Sequence, residues 1–288
     1  MNTDCYYEIG HSHIFCEDYA LAGIVNNIGY AIVSDGCSSS DNVDVGARVL
    51  AHIAKVFLRN LCLCNADVYR TNTSAIFKDL KPSEFCVPII SEAWGVMKNL
   101  DLDDGAIDAT LMMAISNGTE TRVFVYGDGC IVVKYRNGTS QLIRVEFMES
   151  APFYLSYSID PLRKSEYLDI FRKGAVIHKN DIVDGLLINH TSERFESQYI
   201  HDQASWIFND IEGITLISDG VLSYEKKHEN KTIEKIDLDK VIHGIARYKN
   251  FNGQFVERRM NNFKKECQKE GIGHYDDISC ASINLGRS

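Results

Sequence analysis

The chain has 288 residues, 45% of them hydrophobic and 24% charged, which supplies a sizeable core and argues against wholesale disorder. A formal net charge of −10 speaks against sequence-independent nucleic-acid binding, which needs a basic surface. No apolar run approaches the ~20 residues that span a bilayer, and the N-terminal residues lack the basic and apolar segments of an export signal, so no membrane partner is expected.

In chain order, residues 20–25 and 28–34 read as two strands around Asn26-Asn27, a tight-turn pair. Residues 43–61 form an amphipathic helix, with Val43, Ala47, Leu50, Ala54, Phe57 and Leu61 at helical spacing on one face. A second helix covers 84–100, with Pro82 near its start, where proline is tolerated. Residues 107–145 change period. Asn117-Gly118 and Asn137-Gly138 each sit between apolar runs, the strongest short hairpin signal, so this region is expected to be a four-stranded meander turning at Gly127-Asp128-Gly129. Residues 146–210 read as an irregular, partly mobile insertion with an added strand or two. Residues 213–218 return to strand, 225–235 look like a charged exposed loop, helices follow at about 237–248 and 254–270, and a last strand runs 278–284. This order does not alternate as a doubly wound fold does. It predicts a single α+β domain over 1–288, a central antiparallel β-sandwich flanked by helices on both faces in four layers, α-β-β-α.

Three acidic motifs stand at strand ends. Ser34-Asp35-Gly36 and Ser218-Asp219-Gly220 close apolar runs, and Asp276-Asp277 opens one. Carboxylates fixed at the ends of buried strands suit a hard divalent cation, because opposed charges cannot sit together unless a cation neutralises them. Glycine after the aspartate lets the chain turn and exposes a carbonyl, itself a hard ligand. Nine cysteines are scattered without any Cys-x-x-Cys, which favours reduced thiols in a cytoplasmic protein over a zinc site.

The order of motifs resembles the metal-dependent Ser/Thr protein phosphatases of the type 2C class, in a divergent, bacterial-like branch. The resemblance runs through Gly10-His11-Ser12-His13 with Glu17-Asp18, Val33-Ser34-Asp35-Gly36, Asp108-Ala109-Thr110, Gly127-Asp128-Gly129, Leu216-Ile217-Ser218-Asp219-Gly220 and Asp276-Asp277-Ile278-Ser279. It implies two Mn²⁺ or Mg²⁺ ions. Asp35 would bridge them, the Gly36 carbonyl would bind one, Asp219 and Asp276 would hold the other, and Asp128 would help hold a weaker third. Glu17 and Asp18 would orient metal-bound waters. A water bridging the two ions would attack phosphoserine or phosphothreonine, with no phosphoenzyme. The implied partners are a phosphoprotein substrate and a cognate Ser/Thr kinase. Three positions depart from the family pattern. His13 stands where many members carry a phosphate-gripping arginine, Cys37 where a histidine follows the first Asp-Gly, and Asp277 in place of the usual asparagine. These departures keep two rival readings open: a catalytically weak relative that binds phosphoproteins or a partner kinase, and a hydrolase of small phosphate esters.

Overall fold

The computed structural model describes residues 1–64, 81–228 and 231–286. Two antiparallel sheets lie face to face. One has five strands, β2 (Asp18–Val25), β3 (Ile28–Asp35), β4 (Leu111–Ser116), β5 (Glu120–Tyr126) and β10 (Ser205–Asn209), in the order β10-β5-β4-β3-β2. The other has seven: β1 (Asn2–Glu8), β6 (Gly129–Tyr135), β7 (Ser140–Phe147), β8 (Ala175–Val183), β9 (Leu186–Phe195), β11 (Ile211–Ile217) and β15 (Ile278–Asn284). Their order is β1-β15-β11-β6-β7-β8-β9. A small ribbon of β12 (Tyr224–Lys227), β13 (Ile233–Lys235) and β14 (Ile272–His274) stands apart.

The period of two along each central strand sorts side chains into separate cores. On β3, Ala31 and Val33 point between the sheets, where they meet Met112, Val125, Ile131, Leu216 and Ala281. Tyr30 and Ile32 point outward against helices α1 (Val43–Cys64) and α2 (Pro82–Asn99), joining Leu50, Ala54, Ile89 and Ala93. The far face of the seven-stranded sheet does the same with Val132, Ile217 and Cys280, covered by α5 (Leu238–Ala246) and α6 (Phe255–Glu270) through Val241, Ile245, Phe255 and Phe263. Three apolar interfaces between four layers are the α-β-β-α sandwich expected from the sequence. The buried stripe of α1 runs through Ala47, Leu50, Ala51, Ala54, Leu58 and Cys62. Phe57 and Leu61, expected to face inward, therefore sit at its margin.

Two expectations need correction. The hairpins β4–β5 and β6–β7 form, but not as one meander: they belong to different sheets, and Gly127-Asp128-Gly129 is the crossover between them. Gly127 and Gly129 take φ of +101° and +135°, and a Cβ on either would strike Thr110 or Met112, so only glycine permits this passage. The stretch 146–210 is not irregular. It holds α3 (Pro161–Ile170) and α4 (Ile200–Gln203), the β8–β9 hairpin that extends one sheet, and β10 that extends the other. Polar composition hid these strands because β9 is an edge strand with most side chains exposed. Likewise 225–235 is partly strand, β12 and β13, rather than all loop.

Candidate active site

The topology delivers the predicted acids to one end of the sandwich. Asp18 opens β2 and Asp35 closes β3, and the two are direct partners in the antiparallel register. Asp219 follows the end of β11, while Asp276 and Asp277 precede the start of the neighbouring β15. Asp128 lies in the crossover between sheets. Each side chain is therefore anchored by a buried strand or by the turn that leaves one.

Backbone bonds fix the turn after β3. The Thr110 N–H donates to the Asp35 carbonyl at 2.8 Å, and the Asp35 N–H donates to Thr110 Oγ1 at 3.1 Å. The Gly36 N–H donates to the Glu17 carbonyl at 3.2 Å. On the other sheet, the Ser218 hydroxyl donates to Asp18 Oδ2 at 2.6 Å and accepts the Ser279 N–H at 3.0 Å, tying β11, β15 and β2 together at the acids. Ser218 has no role of its own among the sequence-based expectations, although the repeated Ser-Asp-Gly is a signal for one.

Asp35, Asp128, Asp219 and Asp276 line a common cleft of about 340 Å³. Asp18 is buried behind it, and its Oδ1 has no hydrogen-bond partner among the described residues. The carboxyls of Asp18 and Asp219 both lie within hydrogen-bonding reach of Asp35. Burial, then the charges of Asp18 and Asp219, push the Asp35 pKa well above the ordinary carboxylate range. Burial likewise lifts Asp18 to about 7. Asp276 rises to about 6, through burial first and the Asp219 charge second. Asp128 is pushed far up by burial and then by Asp219, with Glu146 behind it. Acids that hold their protons this hard are desolvated and mutually repelling, and an orphaned carboxylate oxygen stands among them. Hard divalent cations answer all three conditions, so the donor set fits the metals that the sequence implied.

Glu17 and His13 lie to one side of this group. Glu17 accepts from the Ser38 hydroxyl at 2.6 Å. His13 Nδ1 is 3.1 Å from Asp277 and 3.9 Å from Glu17, and its Nε2 is 3.5 Å from Asp276. The Asp277 approach is an ion-pair contact rather than an aligned hydrogen bond. Burial lowers the proton affinity of His13, but Asp277, Asp276 and Glu17 together outweigh it and leave the imidazole pKa raised. Atoms of His13, Glu17 and Asp277 also lie within 4.8 Å of one another, close enough to share an ion. His13 is not among the residues lining the cleft. Asp277 is buried and does more than add charge. It accepts the backbone N–H groups of Gly10 (2.6 Å) and Glu17, pinning the N-terminal loop against β15.

The 146–210 stretch also reaches the site. Asp108, whose carbonyl accepts the Cys37 N–H at 2.8 Å, takes its own side-chain bonds from Ser156 and from Arg163 of α3. Tyr154 and Ser150 stand on the cleft wall, as do Arg144 and Glu146 at the end of β7.

The model of the family described as "Protein phosphatase 2C" matches residues 9–236. The chain belongs to the protein phosphatase 2C family. Asp276 and Asp277 lie beyond the matched segment and join the site through the β11–β15 pairing. Among solved structures, a bacterial serine phosphatase superposes with a TM-score of 0.53 at 10% identity, covering 100% of this chain and 99% of its own. The serine/threonine phosphatase Stp1 from Staphylococcus aureus gives 0.53 at 9% identity, covering 99% and 95%. At these identities the likeness is one of fold. No curated protein matches the chain by sequence. No helix among the described residues is long and apolar enough to cross a membrane.

Proposed function

We infer that this family member is a metal-dependent protein phosphatase that removes phosphate from phosphoserine and phosphothreonine. The convergence of Asp18, Asp35, Asp128, Asp219 and Asp276 at one end of the sandwich carries the reading. Asp35, the Gly36 carbonyl, Asp219 and Asp276 would hold two divalent cations, Mn²⁺ or Mg²⁺, and Asp128 a weaker third. When bound, such ions supply an acidified water as nucleophile and neutralise the phosphoryl oxygens as the P–O bond breaks.

The remaining work belongs to the chain itself. Ser218 fixes one oxygen of Asp18 and leaves the other unpartnered, ready to accept from a water. Glu17, held by Ser38, stands beside the raised-pKa imidazole of His13, which places a proton carrier beside Asp276. Cys37 needs no nucleophilic role, and its thiol contacts the Ser39 hydroxyl at 3.0 Å. A phosphoprotein substrate, a partner Ser/Thr kinase and a cytoplasmic setting accompany this reading. A catalytically weak, phosphoprotein-binding relative is the second reading, favoured by the way His13 is engaged by three carboxylates.

Side-by-side hydrolysis of a phosphothreonine peptide and p-nitrophenyl phosphate with Mn²⁺ separates these. The protein-phosphatase reading predicts kcat/KM for the peptide about tenfold or more above that for the small ester, since peptide contacts add transition-state binding. Comparable or reversed rates would point to a small-ester hydrolase. Tight peptide binding without turnover would point to the binding relative.

A further inference from the structure

The cleft has an electrostatic problem that the carboxylates do not solve. Its wall presents Asp35, Asp128, Asp219, Asp276 and Glu146, and a phosphate dianion must enter among them. Bound cations would offset part of this charge, and a fixed protein cation on the same wall would add to them. Among the described residues lining the cleft, Arg144 alone carries a fixed positive charge.

Arg144 is built into the wall rather than draped over it. It sits near the end of β7, opposite Cys130 on β6 and His178 on β8. Its Nη1 contacts Glu146 Oε2 at 2.8 Å, and its side chain keeps 21% exposure. The same Glu146 oxygen is 3.1 Å from His178 Nε2. Glu146 is therefore held by the neighbouring His178 imidazole through the same oxygen that parks the guanidinium. One N–H of a five-donor fork faces Glu146, which leaves others for a ligand.

We propose that Arg144 grips the phosphoryl group of the substrate, and that Glu146, braced by His178, holds the guanidinium in place until phosphate arrives. The proposal rests on the phosphatase reading and adds to it the protein group that orients the phosphate. A planar fork matches two phosphate oxygens at once, which an ammonium or a neutral imidazole cannot do. Because Glu146 competes with phosphate for the same guanidinium, the two side chains carry opposite expected effects.

The test uses the Mn²⁺-loaded full chain, with inorganic phosphate as competitive inhibitor and as calorimetric ligand. Arg144→Ala is expected to raise KM for phosphothreonine peptide and for p-nitrophenyl phosphate alike, and the phosphate inhibition constant with them, by about tenfold or more. Arg144→Lys should recover part of the loss. Glu146→Gln should tighten phosphate binding severalfold, and that gain should shrink in the Arg144→Ala background, which separates competition for the guanidinium from simple loss of a negative charge. Phosphate binding unchanged within twofold in Arg144→Ala would overturn the proposal. So would a loss confined to peptides with acidic flanks, which would make Arg144 a reader of the peptide, or a Glu146→Gln gain of equal size with and without Arg144. If the wild type turns over no phosphoester, the phosphatase reading fails separately. Calorimetric phosphate binding to wild type and Arg144→Ala still decides whether Arg144 holds the anion.

Discussion

Asp35→Asn is expected to make the metal-free protein more stable while cutting turnover by roughly two to three orders of magnitude. The two effects share one cause. In the folded chain Asp35 is half-buried in the cleft wall, with the carboxyls of Asp18 and Asp219 close against it. Either it keeps a proton that the unfolded chain would release near neutral pH, or it stands as an anion against its neighbours. Asparagine removes both costs and preserves the shape, a gain of about 2 kcal/mol or roughly 4–8 °C in a domain of this size. The same logic gives a pH dependence. Asp18 and Asp276 have pKa values of about 7 and about 6, against 3.8 for an unperturbed aspartate. Between the unfolded and folded values the folded, metal-free chain binds more protons than the unfolded chain. Its stability should therefore fall as pH rises from about 4 to about 7. In Asp35→Asn the fall should be shallower, since one titrating acid is gone. Saturating Mn²⁺ should remove most of it in the wild type, because a cation stabilises the deprotonated acids. Thermal melts in EDTA and in Mn²⁺ at pH 5 and 7.5 check all of this. A metal-free Asp35→Asn protein less stable than wild type would show that the acids are not in conflict.

The second large effect is a packing one. Gly220 follows Asp219 on the turn that leaves β11, and a Cβ there would lie 1.7 Å from the backbone carbonyl oxygen of Asp277. That oxygen belongs to the entry of β15, which is paired on both sides by β1 and β11 and cannot step aside. Gly220→Ala should cost about 3 kcal/mol, lowering Tm by roughly 6–12 °C, and should separate Asp219 from Asp276 so that metal affinity falls as well. Gly95 is the control. It lies in α2, and a Cβ added there would meet nothing within 4 Å, so Gly95→Ala should leave stability level or raise it by up to about 1 kcal/mol. If Gly220→Ala melts with the wild type, the close approach of the two motifs is not what holds the site together.

How much of this was legible in the sequence depends on range. Asp35, Asp219, Asp276 and Asp277 could be found because each closes or opens a strongly apolar strand, a local signal, whereas Glu17, Asp18 and Asp128 came only with the family resemblance. Which sheet each strand joins could not. The period of two along β4–β7 tells inside from outside but not one sheet from another, and the crossover at Asp128 is decided by distant neighbours such as the Ile217 carbonyl beside Gly129. β1 escaped notice because Asn2–Glu8 is polar at most of its positions, and its partner β15 lies at the other end of the chain. Arg144 and Glu146 carry no local signal that sets them apart from the solvated face of an ordinary strand. Only the fold puts them on the cleft wall. His13 read as a stand-in for a phosphate-binding arginine, and its three carboxylate neighbours come from residues 17, 276 and 277, two of them more than 250 positions away.

The most direct measurement is hydrolysis of a phosphothreonine peptide by the wild type in Mn²⁺, in Mg²⁺ and in EDTA, with Asp219→Asn alongside. The account predicts turnover with either metal, none in EDTA, and a loss of at least about a hundredfold in the variant. Turnover that persists in EDTA, or that survives Asp219→Asn, would contradict a metal centre built on these carboxylates.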